Sequence, residues 1–432
     1  MGTDKIAASV SAAMGRALRF CMVTTFYPPY HFGGDALHVY RLSQALAERG
    51  HRVDVVHSVD AYRLQHPTEP ETPFDHHPNV TVHSLRTSWG SASALTAHQL
   101  GRPAFYGRRL RAVLEGGPYD VIHFHNVSLM GGPGVLQMGR AVKLFTAHEY
   151  WLVCPTHLLF AFNREACTER HCLACTVIHY RRPPQLWRRT GALPRALGHV
   201  DCLLMTSRFA LEKHREQGID RPMVRLPAFV PAFESEGWPE GLDLPERPFF
   251  LYVGRLERYK GVHDLLRLFE GYRQADLLIV GAGSEEAALR QRACSLSHVR
   301  FVGRLHPAAL GGLYRRAIAL VVPSLSYETF GLTLAESLTC GTPVVARRIG
   351  ALTENLEQSG GGLGFDSMDE CGQAMERLRT EPELRATLAR RGQEAAQRLW
   401  SQEAHLGQYL GLIDSLLAKK AGAVVATGGH DE

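Results

Sequence analysis

Two glutamates, Glu328 and Glu336, stand eight positions apart in the segment SYETFGLTLAESLTCGTPVV. The apolar run 317–323 before them predicts a buried strand, and the residues after it predict a helix from near Gly331 to just before Gly341. A phosphate can approach the bare amides at Gly331, and Glu336 lies about 7 Å farther along the helix axis. Carboxylates accept hydrogen bonds from vicinal hydroxyls, so the segment predicts a site for a ligand with phosphate and hydroxyl groups. A surface loop with a solvated helix face is the plainer alternative.

A second candidate is the pair of cations in GRLERYKG, where Arg255 and Lys260 follow a predicted strand. The guanidinium offers a forked donor and the ammonium a point charge, so the pair suits a diphosphate. Ordinary surface charge is the alternative interpretation. In IVGAGSEE, Gly281 and Gly283 allow a tight turn, but Glu286 stands where a dinucleotide fingerprint has its third glycine. That pattern is weak evidence for a NAD-dependent oxidoreductase.

Four of the nine cysteines form a third candidate site, with the spacing C-x12-C-x4-C-x2-C. This spacing fits a tetrahedral zinc ion, which would order a polar segment that lacks a core of its own. Free or redox-active thiols and an iron–sulfur cluster are the alternatives, and His157 and His171 are spare candidate ligands. The four residues are Cys154, Cys167, Cys172 and Cys175.

Short apolar runs alternate with helical patterns along most of the chain, which predicts parallel sheets with helices on both faces. A stretch with five prolines and no periodicity, 227–248, separates two such series. Ligands of these folds bind outside the carboxyl ends of the strands, here in a cleft between two domains. The predicted strands cover residues 18–26, 51–58, 119–126, 141–149, 200–207, 249–256, 275–283, 299–305, 317–323 and 342–346.

The predicted domain organisation follows from this alternation and from the length of 432 residues, which is too long for one ordinary core. We predict an N-terminal Rossmann-like domain at 1–230, with a Cys-rich insert at about 150–180. A linker follows at 231–248, then a C-terminal Rossmann-like domain at 249–400. The last part of the chain, 401–432, is predicted to be a helix and tail.

Composition and charge indicate a soluble protein, with 45% apolar and 21% charged residues and no apolar run of membrane length. The N-terminus shows no signal peptide, and the scattered cysteines suit a reducing compartment, so we expect a cytoplasmic location. The net charge of +5 belongs to residues 1–245, which hold 26 Lys and Arg against 21 Asp and Glu. Such an excess is typical of a solvated face, but it also suits peripheral contact with the inner membrane face or an anionic acceptor. We find no nucleic-acid-binding motif.

The run YETFGLTLAESLTCGTPVV resembles the E-x7-E motif of retaining glycosyltransferases with the GT-B fold, and it most resembles family 4. YVGRLERYKG, LLIVGAGSE, VRFVGRL and GALTEN follow that family's order and spacing. In the first half, YPPYHFGGDALHVYRLSQALAERGHRVDVV and FTAHEYW are similar to its N-terminal glycine loop and histidine segment. The resemblance covers about residues 18–400. It implies an α/β protein of GT-B fold, with two doubly wound Rossmann-like domains facing a central cleft.

The resemblance also implies roles for individual residues. Arg255 and Lys260 would grip the donor diphosphate, Glu328 would hold the transferred sugar, and His148 would face that sugar near the reacting centre. Glu336 would bind the nucleotide ribose. Further donor contacts would come from glycines and backbone amides at Gly33, Gly34, Gly254, Gly281, Gly303, Phe330, Gly331 and Leu332.

The implied reaction transfers a sugar from a UDP- or GDP-type nucleotide sugar to a hydroxyl group, with retention at the anomeric carbon. The acceptor would be a glycan, a lipid-linked sugar or a small metabolite, bound on the N-terminal side where the Cys-rich insert shapes the cleft rim. No catalytic metal is expected, because arginine, lysine and a helix end would stabilise the leaving group. A sugar-nucleotide epimerase of the same fold and a catalytically silent carbohydrate-binding protein remain as alternatives. The chain departs from the family at Gly350-Ala351 and at Glu149, where two glycines and Asp are commoner.

Overall fold

Two parallel β-sheets organise the chain in the computed structural model, which describes residues 16–66, 68–70, 74–231, 233, 238, 243 and 245–427. Most of the predicted linker 231–248 lies outside the described residues. The predicted fold class, two doubly wound α/β units, is confirmed.

The N-terminal sheet has seven strands in the order β3-β2-β1-β4-β5-β8-β9, and every neighbouring pair is parallel. A separate antiparallel pair, β6 and β7, lies in the Cys-rich insert. The strands are β1 Arg19–Val23, β2 Arg52–Ser58, β3 Val80–Leu85, β4 Val121–Phe124, β5 Val142–Ala147, β6 Phe160–Ala161, β7 Glu165–Ala166, β8 Cys202–Met205 and β9 Met223–Arg225.

The C-terminal sheet has six strands in the order β12-β11-β10-β13-β14-β15, again all parallel. Its chain order reverses direction beside β10, which is the topological switch point where ligands of such sheets bind. The strands are β10 Phe249–Val253, β11 Asp276–Val280, β12 Val299–Gly303, β13 Leu320–Val322, β14 Val344–Arg347 and β15 Gly362–Phe365.

Helices cover both faces of each sheet, and this explains why the central strands are continuous apolar runs rather than alternating ones. Strand β5, for example, is buried at all six positions. The helices are α1 Gly34–Glu48, α2 Val59–Arg63, α3 Ser91–Leu100, α4 Gly107–Gly116, α5 Cys172–Ala174, α6 Ala192–Leu197, α7 Arg208–Glu216, α8 Val262–Gly271, α9 Glu286–Arg292, α10 Leu310–Arg316, α11 Leu332–Thr339, α12 Ala351–Ser359, α13 Met368–Thr380, α14 Pro382–Trp400 and α15 Gln402–Thr427.

The last helix, α15, returns to the N-terminal half of the molecule. Its Leu406, Tyr409 and Ile413 are buried in the same core as Phe20 of β1, and the rings of Phe20 and Tyr409 stack with centroids 6.2 Å apart. Trp400, at the end of α14, is buried in the C-terminal core instead. The chain therefore ends by crossing between the two cores. Among the described helices, none is both long enough and apolar enough to cross a membrane.

The two units contact each other across the carboxyl ends of their strands. Thr206, which follows β8, donates from Oγ1 to the carbonyl of Thr329 at 2.8 Å. Thr329 in turn donates from Oγ1 to the carbonyl of His148 at 2.8 Å. Loops after β5, β8 and β13 therefore meet at one place, and the polar residues singled out in the sequence stand around it.

Candidate active site

Glu328 lies in the loop between β13 and α11, and it is paired with a cation from the neighbouring loop. Its Oε1 accepts hydrogen bonds from Lys260 Nζ at 2.6 Å and from Ser324 Oγ at 2.7 Å. Burial raises the pKa of this carboxyl, but the Lys260 ammonium and the two hydrogen bonds outweigh it, so the pKa lies below its ordinary value. Glu328 is therefore charged at neutral pH, and its orientation is fixed.

Arg255 and Lys260 both stand on the loop that leaves β10, and both lie near the Tyr259 ring. The Arg255 guanidinium carbon is 5.7 Å from that ring's centre, and Lys260 Nζ is 5.5 Å from it. Tyr252 OH donates to the Arg255 carbonyl at 2.8 Å, which fixes the start of the loop. Burial lowers the pKa of Arg255, but the surrounding oxygens of Tyr259, Asp35 and two glutamates raise it above its usual range. Arg255 is therefore a permanent cation at the cleft.

The predicted glycines lie at the ends of three neighbouring strands: Gly254 follows β10, Gly281 follows β11, and Gly303 is the last residue of β12. Gly254 N donates to the carbonyl of Val280 at 3.0 Å, and Gly281 N donates to that of Gly303 at 2.8 Å. A Cβ at Gly281 would lie 1.9 Å from the Gly254 carbonyl oxygen, and φ there is +138°. Only glycine fits this position, because the two loops touch backbone to backbone. The backbone at these three glycines is therefore not covered by side chains of its own, and it lies beside the loop that carries the two cations.

Helix α11 starts at the cleft because Gly331 turns the chain with φ 86° and ψ 60°. A Cβ at Gly331 would lie 2.6 Å from Leu352 Cδ2, so a side chain has no room there. Phe330 is buried with its ring 5.7 Å from that of Trp400, and its carbonyl accepts from Asn355 Nδ2. No side chain of a described residue caps the first amides of α11, which suits an anion.

The glycine loop of the N-terminal domain meets this helix directly. Gly33 has φ 91° and caps α1, whose first residue is Gly34. A Cβ at Gly34 would approach Leu332 Cδ2 to 2.9 Å, so the two helix starts are in contact across the cleft. Gly33, Gly34, Gly331 and Leu332, which the resemblance assigned to one ligand, thus lie at one place.

Glu336 sits one turn into α11 and is buried. Tyr314 OH donates to its Oε2 at 3.1 Å, and Arg41 Nη1 of helix α1 lies 3.7 Å from its Oε1. Burial raises the pKa of Glu336 above its ordinary value, and the Arg41 charge and the Tyr314 hydrogen bond only partly offset this. The pKa of Glu336 is therefore raised, whereas that of Glu328 is lowered. Arg41 Nη1 makes no hydrogen bond with any residue that the structure describes.

His148 follows β5, and its carbonyl accepts the hydrogen bond from Thr329 in the Glu328 loop. Its Nε2 lies 2.9 Å from Nδ1 of His125, which follows β4. Burial lowers the pKa of His148 to about 4, and the neighbouring Glu149 carboxylate only partly opposes this. The imidazole is therefore neutral at pH 7. The ring of His123, on β4, lies 4.0 Å from that of His125, because residues two apart on a strand share a face, and its Nδ1 contacts Tyr409 OH of α15 at 2.8 Å.

Asp35, which the sequence patterns did not single out, lies near Glu149, which was noted only as a departure from the family. Glu149 Oε1 accepts from Asn126 Nδ2 at 3.1 Å and contacts His157 Nδ1 at 2.6 Å. Burial and the nearby Glu149 charge raise the pKa of Asp35 to about 6, with Arg255 among the groups that oppose this. The sequence feature that could have identified Asp35 is its position directly after Gly33-Gly34.

The four predicted metal-binding cysteines line one cavity in the insert, together with His171. All four are free thiols, and Cys167 Sγ donates to the carbonyl of Glu169 at 3.2 Å. Within the described ranges, no group of three or more His, Cys, Asp or Glu side chains is arranged to hold a metal ion. His157, predicted as a spare ligand, is paired with Glu149 instead.

The insert packs beside the loops that follow β10 and β13 in the C-terminal unit. Tyr150, Cys154, Leu159 and Cys167 pack in one cluster with Tyr327, the residue before Glu328. The ring of Phe160 lies 6.4 Å from that of Tyr259. Tyr150 OH also contacts the Glu328 carbonyl at 3.4 Å. The insert therefore borders the site that holds Glu328 and Lys260.

Comparison with known proteins gives two family models that together span most of the chain. The model "Glycosyl transferase 4-like domain" matches residues 33–228, and "Glycosyl transferases group 1" matches residues 235–395. The glycogen synthase of Mycobacterium tuberculosis is 27% identical over 412 residues, which cover 89% of this chain and 91% of that protein.

Solved structures show the same architecture. Sucrose-phosphate synthase from Thermosynechococcus elongatus matches with a TM-score of 0.69 at 22% identity, over 94% of this chain and 100% of that chain. HepE from Anabaena, solved in complex with UDP and glucose, matches with a TM-score of 0.60 at 16% identity, over 95% of this chain and 100% of that chain. Both likenesses concern the fold. With fold and family models in agreement, the chain belongs to the family 4 glycosyltransferases of GT-B fold, enzymes that transfer a sugar from a nucleotide-sugar donor.

Proposed function

We propose that this enzyme transfers its sugar with retention at the anomeric carbon, to a hydroxyl of an acceptor bound on the N-terminal side of the cleft. The observation that carries the proposal is the contact of Lys260 with Glu328 at 2.6 Å, beside Arg255 and the bare start of α11. This set offers two cations and a helix N-terminus to a diphosphate. It also offers one charged carboxylate to a sugar.

Each donor group then has a partner. The diphosphate lies against the α11 amides, with Arg255 and Lys260 balancing the charge that develops on the leaving nucleotide. The ribose hydroxyls bind Glu336, and the transferred sugar binds Glu328. The bare backbone at Gly254, Gly281 and Gly303 lets the nucleotide approach closely. His148, neutral at pH 7, offers the sugar a hydrogen-bonding imidazole.

Retention follows in this proposal from attack on the same face as the departing phosphate. The bond from the anomeric carbon to the phosphate oxygen breaks, the acceptor oxygen bonds to that carbon, and the acceptor proton passes to the leaving phosphate. Glu328 is not assigned as the nucleophile that retaining glycosidases use. Its carboxylate is already held by Lys260 and Ser324, which suits a fixed hydrogen-bond acceptor for sugar hydroxyls.

The donor is proposed to be a UDP- or GDP-type nucleotide sugar. Support for UDP comes from the HepE complex with UDP and glucose, although that likeness concerns the fold. The acceptor class stays open among glycans, lipid-linked sugars and small metabolites, because the relatives named above make different products. Asp35 and Glu149, which belong to the N-terminal half of the chain, are proposed to bind acceptor hydroxyls.

A structural zinc ion in the insert is part of the proposal, and it is supported by the cysteine spacing and the shared cavity. Binding would need Cys154, Cys167, Cys172 and Cys175 to turn towards a common centre. Elemental analysis of the purified protein tests this. We expect zinc in the wild type and in Cys294→Ser, whose cysteine is exposed elsewhere, and loss of zinc in Cys172→Ser. Zinc-free wild-type protein with an intact fold would end the idea.

The enzyme is proposed to act in the cytoplasm and to contact the inner membrane face through basic patches of its N-terminal domain. The excess of Lys and Arg in residues 1–245 supports such contact, because anionic lipid attracts basic surfaces.

Donor binding and turnover test the proposal together. A thermal-shift screen against UDP, GDP, ADP and dTDP sugars identifies the donor, and acceptor trials follow with that sugar. We expect transfer that is lost in Glu328→Ala and retained anomeric configuration by proton NMR. Turnover of the donor without any acceptor would favour an epimerase instead, and binding without any turnover would favour a carbohydrate-binding protein.

A further inference from the structure

Exposed apolar side chains are concentrated in one part of the N-terminal half. Among the described residues, the large apolar side chains recorded as exposed fall between residues 89 and 186, and Val224 alone lies elsewhere. Single exposed apolar residues are ordinary, but a concentration of them marks a contact surface. The most exposed are Ile178 at 66%, in the Cys-rich insert, and Leu186 at 64%, in the segment directly after it; residues 170–190 are called the insert face below.

The insert presents these side chains on a short, well-connected framework. Leu173 of α5 and Val177 of the following turn, Cys175–His179, are spaced four residues apart, so they share one side. Arg182 N donates to the Thr176 carbonyl at 3.0 Å, which folds the next segment back onto that turn. Trp187 Nε1 then donates to the His98 carbonyl at 2.9 Å and anchors the Leu186 turn on α3. Contacts of the buried neighbouring residues therefore fix the backbone from which these exposed apolar side chains project.

Arginines are interspersed with the same apolar side chains along the chain. Residues 170–190 contain no Asp or Glu, and residues 86–190 hold 13 Lys and Arg against five Asp and Glu. Within residues 170–190, Arg181, Arg182 and Arg189 are exposed. Aliphatic side chains interspersed with guanidinium groups match the boundary between lipid headgroups and acyl chains, because the aliphatic groups insert and the arginines pair with phosphates.

We infer that this insert face, formed by Leu173, Val177, Ile178, Leu186, Arg181, Arg182 and Arg189, docks on an anionic lipid bilayer. The inference rests on the proposed membrane contact and makes it specific: aliphatic insertion by the insert, and not charge spread over the whole domain. The insert also borders the Glu328 site through Tyr259 and Tyr327. Docking therefore brings the acceptor side of the cleft next to the membrane surface.

Vesicle co-sedimentation of the full-length protein tests the inference. We expect binding to vesicles of phosphatidylcholine mixed with phosphatidylglycerol, weaker binding to phosphatidylcholine alone, and release by salt. Arg182→Gln and Arg189→Gln should each weaken binding about fivefold, and Ile178→Glu and Leu186→Glu should weaken it at least as much. Val224→Glu and Arg398→Gln, at exposed positions outside the insert, are the matched controls and should bind like wild type.

Three results would overturn the inference. These are no binding of wild type at low salt, equal binding by insert variants and controls, or concentration-dependent self-association that Ile178→Glu abolishes. Circular dichroism and thermal unfolding check that each variant is folded. Donor binding is measured separately by thermal shift. Vesicle binding without donor binding would count against the proposed sugar transfer alone, and donor binding without vesicle binding would count against the docking face alone.

Discussion

At the scale of single residues, the two glutamates of the E-x7-E segment differ in the state of their carboxyl groups. The Lys260 ammonium outweighs burial and holds the pKa of Glu328 below its usual range, whereas burial raises that of Glu336. A charged carboxylate fixed by a lysine suits sugar hydroxyls beside a diphosphate. A buried carboxyl beside Tyr314 suits a ribose, because the ribose hydroxyls can replace the hydrogen bonds to water that the carboxyl loses on burial. We therefore propose that the pair acts as two separate binding groups and not as an acid and a base.

Changing Glu336 to Gln should weaken binding of the nucleoside diphosphate chosen by the donor screen. A hydrogen bond to a charged group contributes about 1.5–3 kcal/mol, so the loss should be about 10- to 100-fold. Isothermal titration with that nucleotide and its 2′-deoxy analogue measures it. Wild type should prefer the ribonucleotide, and the variant should bind both nearly alike. If the variant keeps the wild-type preference, Glu336 does not hold the ribose.

Asp35 gives a pH-dependent contribution to stability with a defined sign. Its pKa is raised to about 6 by burial and Glu149, so the folded chain binds this proton more tightly than the unfolded chain does. As pH rises from about 4 to about 6, the group therefore lowers the free energy of unfolding, by up to about 3 kcal/mol. Asp35→Asn removes this loss. Urea unfolding across that range should show the variant gaining on wild type as pH rises, and parallel curves would contradict the assignment.

At the scale of elements, sequence patterns predicted those parts of the fold that local chemistry determines. The predicted strand 141–149 corresponds to β5, because a continuous apolar run identifies a buried strand. The predicted helix from near Gly331 corresponds to α11, because a glycine turn identifies where the helix starts. Strands β3, β9 and β15 were not predicted. They lie at sheet edges, where partial exposure or glycine content weakens the apolar pattern. The pairing of Arg41 with Glu336 could not be predicted either, since it depends on how two domains approach each other.

Gly331→Ala tests whether the start of α11 requires glycine at position 331. Its φ of 86° and a Cβ only 2.6 Å from Leu352 Cδ2 predict a loss of about 1–3 kcal/mol in the free energy of unfolding. Gly411→Ala is the matched control in α15, where a Cβ would meet nothing within 4 Å. This substitution should be neutral or should stabilise the fold by under about 1 kcal/mol. Equal thermal midpoints for both variants would contradict this account.

At the scale of the whole molecule, the cleft is held closed by contacts from one unit to the other. Glu354 of α12 accepts from the backbone amides of Arg208 and Phe209 at 3.1 and 3.0 Å, and so caps helix α7 of the opposite unit. Arg225 Nε lies 3.1 Å from the same carboxylate. A carboxylate at a helix N-terminus is favourable. Domain closure thus satisfies groups that an open cleft would leave to water.

Replacing Glu354 by Ala should therefore loosen closure without touching the donor site. Hydrogen exchange at the amides of residues 208 and 209 should speed up by about 5- to 30-fold, as expected for the loss of about 1–2 kcal/mol at a helix cap. Glu357→Ala, on the same helix, is the control and should leave these amides unchanged. Unchanged exchange in Glu354→Ala would show that this contact does not hold the cleft.

The central claim is that the Lys260–Glu328 pair and Arg255 bind the donor for transfer. Its most direct test is the kcat/KM of sugar transfer in wild type, Lys260→Ala and the control Lys420→Ala, whose lysine donates to the Ala141 carbonyl from α15. We predict a fall of about 10²- to 10³-fold for Lys260→Ala, the size expected when one group that stabilises developing charge is removed, and little change for the control. A folded Lys260→Ala enzyme that transfers sugar at the wild-type rate would contradict the claim.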